Sequence, residues 1–204
     1  MIHAPSATPA PPPVDDAELV RRFQSGSRDA FEELMRRHMD SVYNLGARMC
    51  PRRADGQDLV QDTFLSAYRH LAGFRGQASF RTWLLRIAAN SCLRMKRDRK
   101  VPGPEERPLD ESVAEGPART AGEGEGPEGM ALRGELRQAI DRAIGALPPG
   151  LRLAFVLREQ EGLSTREAAE VLGISEGALK TRLSRARDAL AQGLRGYVEG
   201  GGRG

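Results

Sequence analysis

The chain has 204 residues, of which 29% are charged and only 5% aromatic, a composition that suits one or two domains with small cores rich in Leu, Ala and Val. Its formal net charge of +3 hides an uneven distribution: eight acidic residues against two basic ones lie between Val101 and Ala131, which leaves the remainder near +9. No run approaches the roughly 20 apolar residues of a membrane span, and Met1 to Val14 lacks the basic and apolar regions of a signal peptide, so neither membrane insertion nor secretion is expected.

Residues 1–14 are Pro- and Ala-rich and read as a disordered leader. From 15 to 100 the apolar residues recur at i, i+3 and i+4, the helical period. A short helix fits Asp16 to Gln24, interrupted by Gly26 and Ser27. Ser27 can cap a second helix with Ala30, Phe31, Leu34, Met35 and His38 on its inner side. Pro51 breaks the chain, and a third helix fits Asp55 to Leu71, with Val60, Phe64, Ala67 and Leu71 inward. Asp58 and Asp62 fall on its other side, four residues apart, where like charges slightly destabilise a helix unless a partner needs them.

Gly73 and Gly76 bracket a tight loop, and Ser79 is a candidate N-cap for a helix running from Phe80 into a basic end. Phe80, Trp83, Leu84, Ile87, Ala88 and Ser91 form its inward stripe. That placement favours a core role for Trp83 over base stacking. Arg94, Lys96, Arg97, Arg99 and Lys100 pile up at its C-terminal end. Helix-dipole compensation would account for two or three of these cations. Five point to phosphate binding.

Residues 101–129 are Pro, Gly and Glu. Too little apolar surface is available there to offset ordering entropy, so they read as a flexible acidic linker. Helical spacing returns over 130–198, and 199–204 read as a disordered tail. Leu132 to Leu147 is ended by Pro148-Pro149-Gly150. Leu151 to Glu161 follows, closed by Gly162. Ser164 opens the next helix, with Glu167 at the capping-box position.

Ser164 to Leu190 has the pattern of a helix-turn-helix. Ala168, Ala169 and Leu172 face inward on the first helix, small enough for a close crossing. Gly173 falls where the turn needs a positive φ, Ser175 caps the second helix, and Leu179 and Leu183 point to the core. The opposite face carries Lys180, Thr181, Ser184, Arg185 and Arg187, with Arg182 beside it. Such a face suits phosphates and base edges in a major groove. The fold expected is therefore all-α: two small helical domains joined by a flexible linker, the C-terminal one a helix-turn-helix.

Cys50 and Cys92 have no metal-ligand spacing and read as free thiols in a reducing, cytoplasmic setting. His38 and His70 read as packing or surface residues. No phosphate loop, nucleophile–base pair or metal cluster is visible, so no enzyme activity, cofactor or metal is expected.

Three segments, in order, resemble the sigma-70 family of bacterial RNA polymerase sigma factors, in its short extracytoplasmic-function (ECF) group. They are RADGQDLVQDTFLSAYRHL, FRGQASFRTWLLRIAANSCLRMKRD, and LPPGLRLAFVLREQEGLSTREAAEVLGISEGALKTRLSRARDAL. The resemblance implies a region 2 domain over 15–100 and a region 4 domain over 130–198. It implies binding to the clamp and flap regions of core RNA polymerase, the clamp surface including Asp58, Gln61, Asp62 and Leu65. It implies that single-stranded −10 DNA is read by the Gly73–Ser79 loop, with Arg75, Gln77 and Ser79, and by Arg86, Asn90, Arg94 and Arg97 on the helix. It implies that double-stranded −35 DNA is read by Lys180, Thr181, Ser184 and Arg185, with Arg182 and Arg187 on phosphates. An anti-sigma partner is a further implication. The lead-in Asp55-Gly56-Gln57 departs from the family's more acidic pattern and leaves the start of that helix open. On the residues alone the competing function is a conventional helix-turn-helix regulator that acts without core polymerase.

Overall fold

The computed structural model describes residues 14–50, 52–98 and 127–200. Residues 1–13, 51, 99–126 and 201–204 lie outside that range, as does the side chain of Arg97, and with them all of the expected leader but Val14 and all of the expected 101–129 linker but 127–129. Among the described residues there are eight α-helices and no strand: α1 (Asp16–Gln24), α2 (Asp29–Met49), α3 (Arg53–His70), α4 (Phe80–Asp98), α5 (Pro127–Ala146), α6 (Pro149–Phe155), α7 (Thr165–Leu172) and α8 (Glu176–Gly200).

The expected punctuation holds at most junctions. Asp15 caps α1, accepting from the Glu18 amide at 2.7 Å. Gly26 has φ 104°, a conformation open to Gly but strained for other residues. The Ser79 hydroxyl accepts from the Thr82 amide at 3.1 Å and caps α4. Two starts differ from expectation. α2 begins after Arg28 rather than at a Ser27 cap, with no side-chain cap bond. α3 begins at Arg53, two residues early, with Asp55 buried and paired to Arg52 at 3.2 Å and Gly56 buried against Gly46 of α2. Both later helices overrun their expected limits: α5 starts at Pro127 and α8 continues to Gly200.

α2 is the central strut of the first half, packed on α1, α3 and α4. Its inner stripe, Leu34, Val42, Leu45 and Met49, is fully buried. In the second half α8 packs on α5, α6 and α7. Between α6 and α7 the chain takes a π turn over Val156–Gln160, closed by the Glu161 amide on the Val156 carbonyl. Such a one-residue bulge re-aims the side chains that follow it.

The two halves do not stand apart. α4 packs along α7, and one continuous apolar core runs from Leu84, Leu85 and Ala88 of α4 to Ala168, Ala169 and Val171 of α7. Arg48 of α2 also pairs with Asp141 of α5. The sequence left the relative placement of the halves open.

Candidate nucleic-acid and polymerase interfaces

The helix-turn-helix is built as its residues dictate. The Ser164 hydroxyl accepts from the Glu167 amide at 3.2 Å, and the Glu167 carboxylate accepts from the Ser164 amide at 2.8 Å, completing a capping box. These bonds hold the Glu167 carboxyl below its usual range. Gly173 takes φ 63° and ψ 36°, and the Ile174 amide closes back on the Ala169 carbonyl at 3.1 Å. This left-handed ending satisfies carbonyls that the helix would otherwise orphan. Ser175 then caps α8 through the Ala178 amide at 3.2 Å.

Leu179 and Leu183 are buried, and Lys180, Thr181, Ser184, Arg185 and Arg187 are exposed, with Arg182 partly covered. These five lie on the exposed side of α8, with Asp188 exposed among them. Two of the expected readers are already engaged. The Thr181 hydroxyl donates to the Gly177 carbonyl at 3.1 Å, and Arg187 pairs with Glu159 at 2.6 Å. Neither engagement was legible in the sequence, since one is a back-bond along the helix and the other crosses to the π turn.

The second cationic face is on α4. Arg86, Asn90 and Arg94 are exposed and Leu84, Leu85, Ala88, Ala89 and Cys92 are buried. The Arg94 guanidinium donates to the Ser91 hydroxyl at 3.3 Å. Arg75, Gln77 and Ser79 are all exposed on the preceding loop, whose turn places Gly76 at φ 68°. Phe74, Phe80 and Trp83 cluster beneath that loop, with Phe74–Trp83 and Phe80–Trp83 ring centroids 5.0 and 5.8 Å apart. Trp83 is only partly covered and packs on the apolar stripe, as its spacing suggested. His38 is buried beside Phe80 and its ring lies 2.6 Å from the Asp16 carboxylate. One positioning residue escaped sequence reasoning: the Gln24 amide donates to the Leu71 carbonyl at 3.2 Å and the Phe74 carbonyl at 2.9 Å, tying α1 to the start of the loop.

On α3, Asp58, Gln61, Asp62 and Leu65 form one exposed stripe, and Leu65 keeps 44% of its surface in solvent. The stripe borders a predominantly apolar groove of about 330 Å³ between α2 and α3, lined by Met35, Met39, Tyr43, Gln57, Val60, Gln61 and Phe64. Val60 and Phe64 were expected to face inward, and Phe64 is buried in the core with Val60 packed against it; both also reach the groove, as does Met35, expected on the inner side of α2. Met39 and Tyr43 escaped sequence reasoning, although with Met35 they make a second apolar row on α2 at helical spacing.

Residues 34–101 match the description Sigma-70 region 2, and residues 137–190 match Sigma-70, region 4. An ECF RNA polymerase sigma-E factor of Escherichia coli is 38% identical over 178 residues, covering 86% of this chain and 92% of that protein.

The chain belongs to the sigma-70 family, in its ECF group.

A Pseudomonas aeruginosa RNA polymerase sigma-H factor is 35% identical to this sigma factor over 181 residues, covering 88% of this chain and 93% of its own. Among solved structures, CnrH in complex with the cytosolic domain of CnrY superposes with a TM-score of 0.63 at 30% identity, covering 87% of this chain and 95% of that one. The sigma factor RpoE in complex with the anti-sigma factor NepR, from Bartonella quintana, gives 0.62 at 25% identity, covering 81% and 96%. Among the described residues of this sigma factor, no helix is long and apolar enough to cross a membrane, and no group of three or more His, Cys, Asp or Glu could hold a metal ion.

Proposed function

We propose that this ECF sigma factor docks on core RNA polymerase through the α3 stripe, Asp58, Gln61, Asp62 and Leu65, and the apolar groove beside it. Single-stranded −10 DNA is then read by Arg75, Gln77 and Ser79 of the loop and by Arg86, Asn90, Arg94 and Arg97 of α4. Duplex −35 DNA is read by Lys180, Thr181, Ser184 and Arg185, with Arg182 and Arg187 on phosphates. The two domains are 15–100 and 130–198, tethered by the acidic linker. The protein does no bond chemistry. It works in the cytoplasm, positioning the polymerase and stabilising opened DNA. Extruding a base costs a few kcal/mol, and backbone contacts from the α4 face together with a pocket at the loop offset that cost.

The observation that carries this reading is the presence of two separate exposed cationic helix faces, on α4 and α8, plus an acidic-edged apolar groove that neither face uses. Control by an anti-sigma protein completes the reading. The likeness to RpoE, solved with the anti-sigma factor NepR, supports it.

The test is transcription in vitro with core polymerase, with and without the chain, on a library of promoter fragments. Promoter-specific initiation that depends on the chain is the expected result. Failure to bind core or to start transcription on any template would leave a conventional helix-turn-helix regulator in its place.

A further inference from the structure

Nothing in the function proposed above uses α1, yet this helix is tied to both ends of the loop between α3 and α4. At its C-terminal end Gln24 holds the loop entry through the Leu71 and Phe74 carbonyls. At its N-terminal end the tie runs through His38 of α2, which is only 8% exposed. His38 Nε2 lies 2.6 Å from Asp16 Oδ2, in the first turn of α1. A carboxylate only accepts, so the imidazole donates. The same ring packs against Phe80, the first residue of α4, with centroids 5.3 Å apart.

Two features give this link a direction. Asp16 is itself held: Arg37 Nη1 donates to its Oδ1 at 3.2 Å and to the Val14 carbonyl at 2.6 Å. A charge-assisted bond to a fixed acceptor is strong and holds the imidazole in one orientation. Phe80, in turn, is not an isolated core residue. It is buried, 5.8 Å from Trp83 and edge-on to Phe74 at 6.5 Å, so the ring that His38 sets belongs to the aromatic floor beneath Arg75, Gln77 and Ser79. An aliphatic side chain could fill the same space without an acceptor. A buried imidazole needs one, and finds it on another element.

We infer that His38 is a positioning residue for the −10 site: fixed by Asp16, it sets Phe80 and with it the floor on which the loop holds its readers. The inference rests on the −10 role proposed for that loop. A loop that is competent in only a fraction of the molecules binds more weakly by that fraction, so His38 acts on affinity without touching DNA.

Trp83 is the single tryptophan of the chain, and its fluorescence reports the floor directly. The experiment compares H38F, which keeps a ring and loses the donor, with H38Q, which keeps a donor and loses the ring, and with D16A and H38F/D16A, each as the full chain and as holoenzyme. Circular dichroism checks helix content. Should either His38 variant lose helix, D16A, at a side chain 30% exposed, carries the test. Trp83 emission and its quenching by acrylamide read the floor, and anisotropy with a single-stranded −10 probe and a −35 duplex reads the consequence. Each single variant is expected to alter the Trp83 signal and to weaken −10 binding about tenfold, the effect of a loop competent in about a tenth of the molecules, with −35 binding unchanged. H38F/D16A is expected to be no weaker than H38F, because both substitutions cut one link. Folded H38F with wild-type Trp83 signal and −10 binding overturns the proposal, since packing alone then suffices. Additive losses in H38F/D16A overturn the link through Asp16. An altered Trp83 signal with unchanged −10 binding, or equal losses on both probes, overturns the positioning role. Wild-type holoenzyme that binds no −10 strand overturns the function proposed above, while the Trp83 signal still decides whether Asp16 and His38 hold the floor.

Discussion

Gly46 of α2 and Gly56 of α3 meet where the two helices cross: a Cβ added to Gly46 would lie 3.2 Å from the Gly56 carbonyl oxygen, whereas one on Gly56 would meet Gly46 backbone atoms only at 3.6 Å and beyond. The pair is sterically asymmetric, although both residues are helical. Gly46→Ala presses on backbone that cannot rotate away and is expected to destabilise by about 1–2 kcal/mol, the scale of mild overpacking. Gly56→Ala stays in ordinary contact and gains helix propensity, so it is expected to be neutral or stabilising by up to about 1 kcal/mol. Thermal melts of the two variants check the contrast, and equal effects would contradict it.

The capping box of α7 gives a pH signature. The Glu167 carboxyl is held below its usual 4.5, first by its hydrogen bonds with Ser164. A lowered carboxyl contributes stability that is fully present above the unfolded value and is lost as pH falls through the folded one. At neutral pH, Glu167→Gln is expected to lower the melting temperature by about 1–4 °C. The difference from wild type should shrink as the pH falls below the ordinary carboxylate range and through the lowered folded value. A gap that stays constant with pH would show the box to be inert.

Asp58 and Asp62 sit four apart on an exposed helix face. Removing both charges relieves a repulsion of about 0.2–0.5 kcal/mol. The variant D58A/D62A is therefore expected to be no less stable than wild type, yet to lose about tenfold or more in core-polymerase affinity, a loss of about 1.4 kcal/mol. Circular dichroism and a core pull-down separate the two effects. Loss of stability without loss of binding would refute a docking role for these carboxylates.

Gln24 ties α1 to the start of the loop proposed to read −10 DNA. Gln24→Leu removes two donated bonds, at a cost of about 1–2 kcal/mol. It should weaken binding of single-stranded −10 DNA by the holoenzyme while leaving −35 duplex binding unchanged. Fluorescence anisotropy with the two probes checks it.

Glu159 holds Arg187 at the edge of the recognition face. Glu159→Ala should free that cation for a phosphate, tighten duplex binding, and steepen the dependence of log affinity on log salt by up to about 0.9, the contribution of one contact. An unchanged slope would mean that Arg187 leaves Glu159 on binding in any case, or never reaches DNA.

Much of the fold was legible because it is punctuated by residues with one local solution. Ser164, Glu167, Gly173 and Ser175 each do what their type and spacing require; of the expected α4 stripe Phe80, Leu84, Ala88 and Ser91 are buried and Trp83 and Ile87 partly covered, while the buried row Leu85, Ala89 and Cys92 was not foreseen. What stayed hidden is non-local. Nothing near Gln24 in sequence marks it as a partner of residues 71 and 74, and nothing near Arg81 in sequence announces a carboxylate 80 positions away. Gly56 looked like an irregular helix start and is a crossing point. Met39 and Tyr43 of α2 went unassigned for a similar reason: periodicity says that a side chain is apolar, not whether another element arrives to cover it.

α8 carries the face proposed to read −35 DNA near one end and packs on α5 toward the other, where a Cβ on Gly193 would lie 3.5 Å from that of Ala143. At about 1.5 Å per residue its 25 residues make a rod about 37 Å long. A rod is a lever. A tilt of about 5° about Gly193 carries Lys180, 13 residues and so about 20 Å away, by about 2 Å, roughly half a base-pair step. Side chains where α5 and α8 pack thereby set the aim of the face proposed to read −35 DNA.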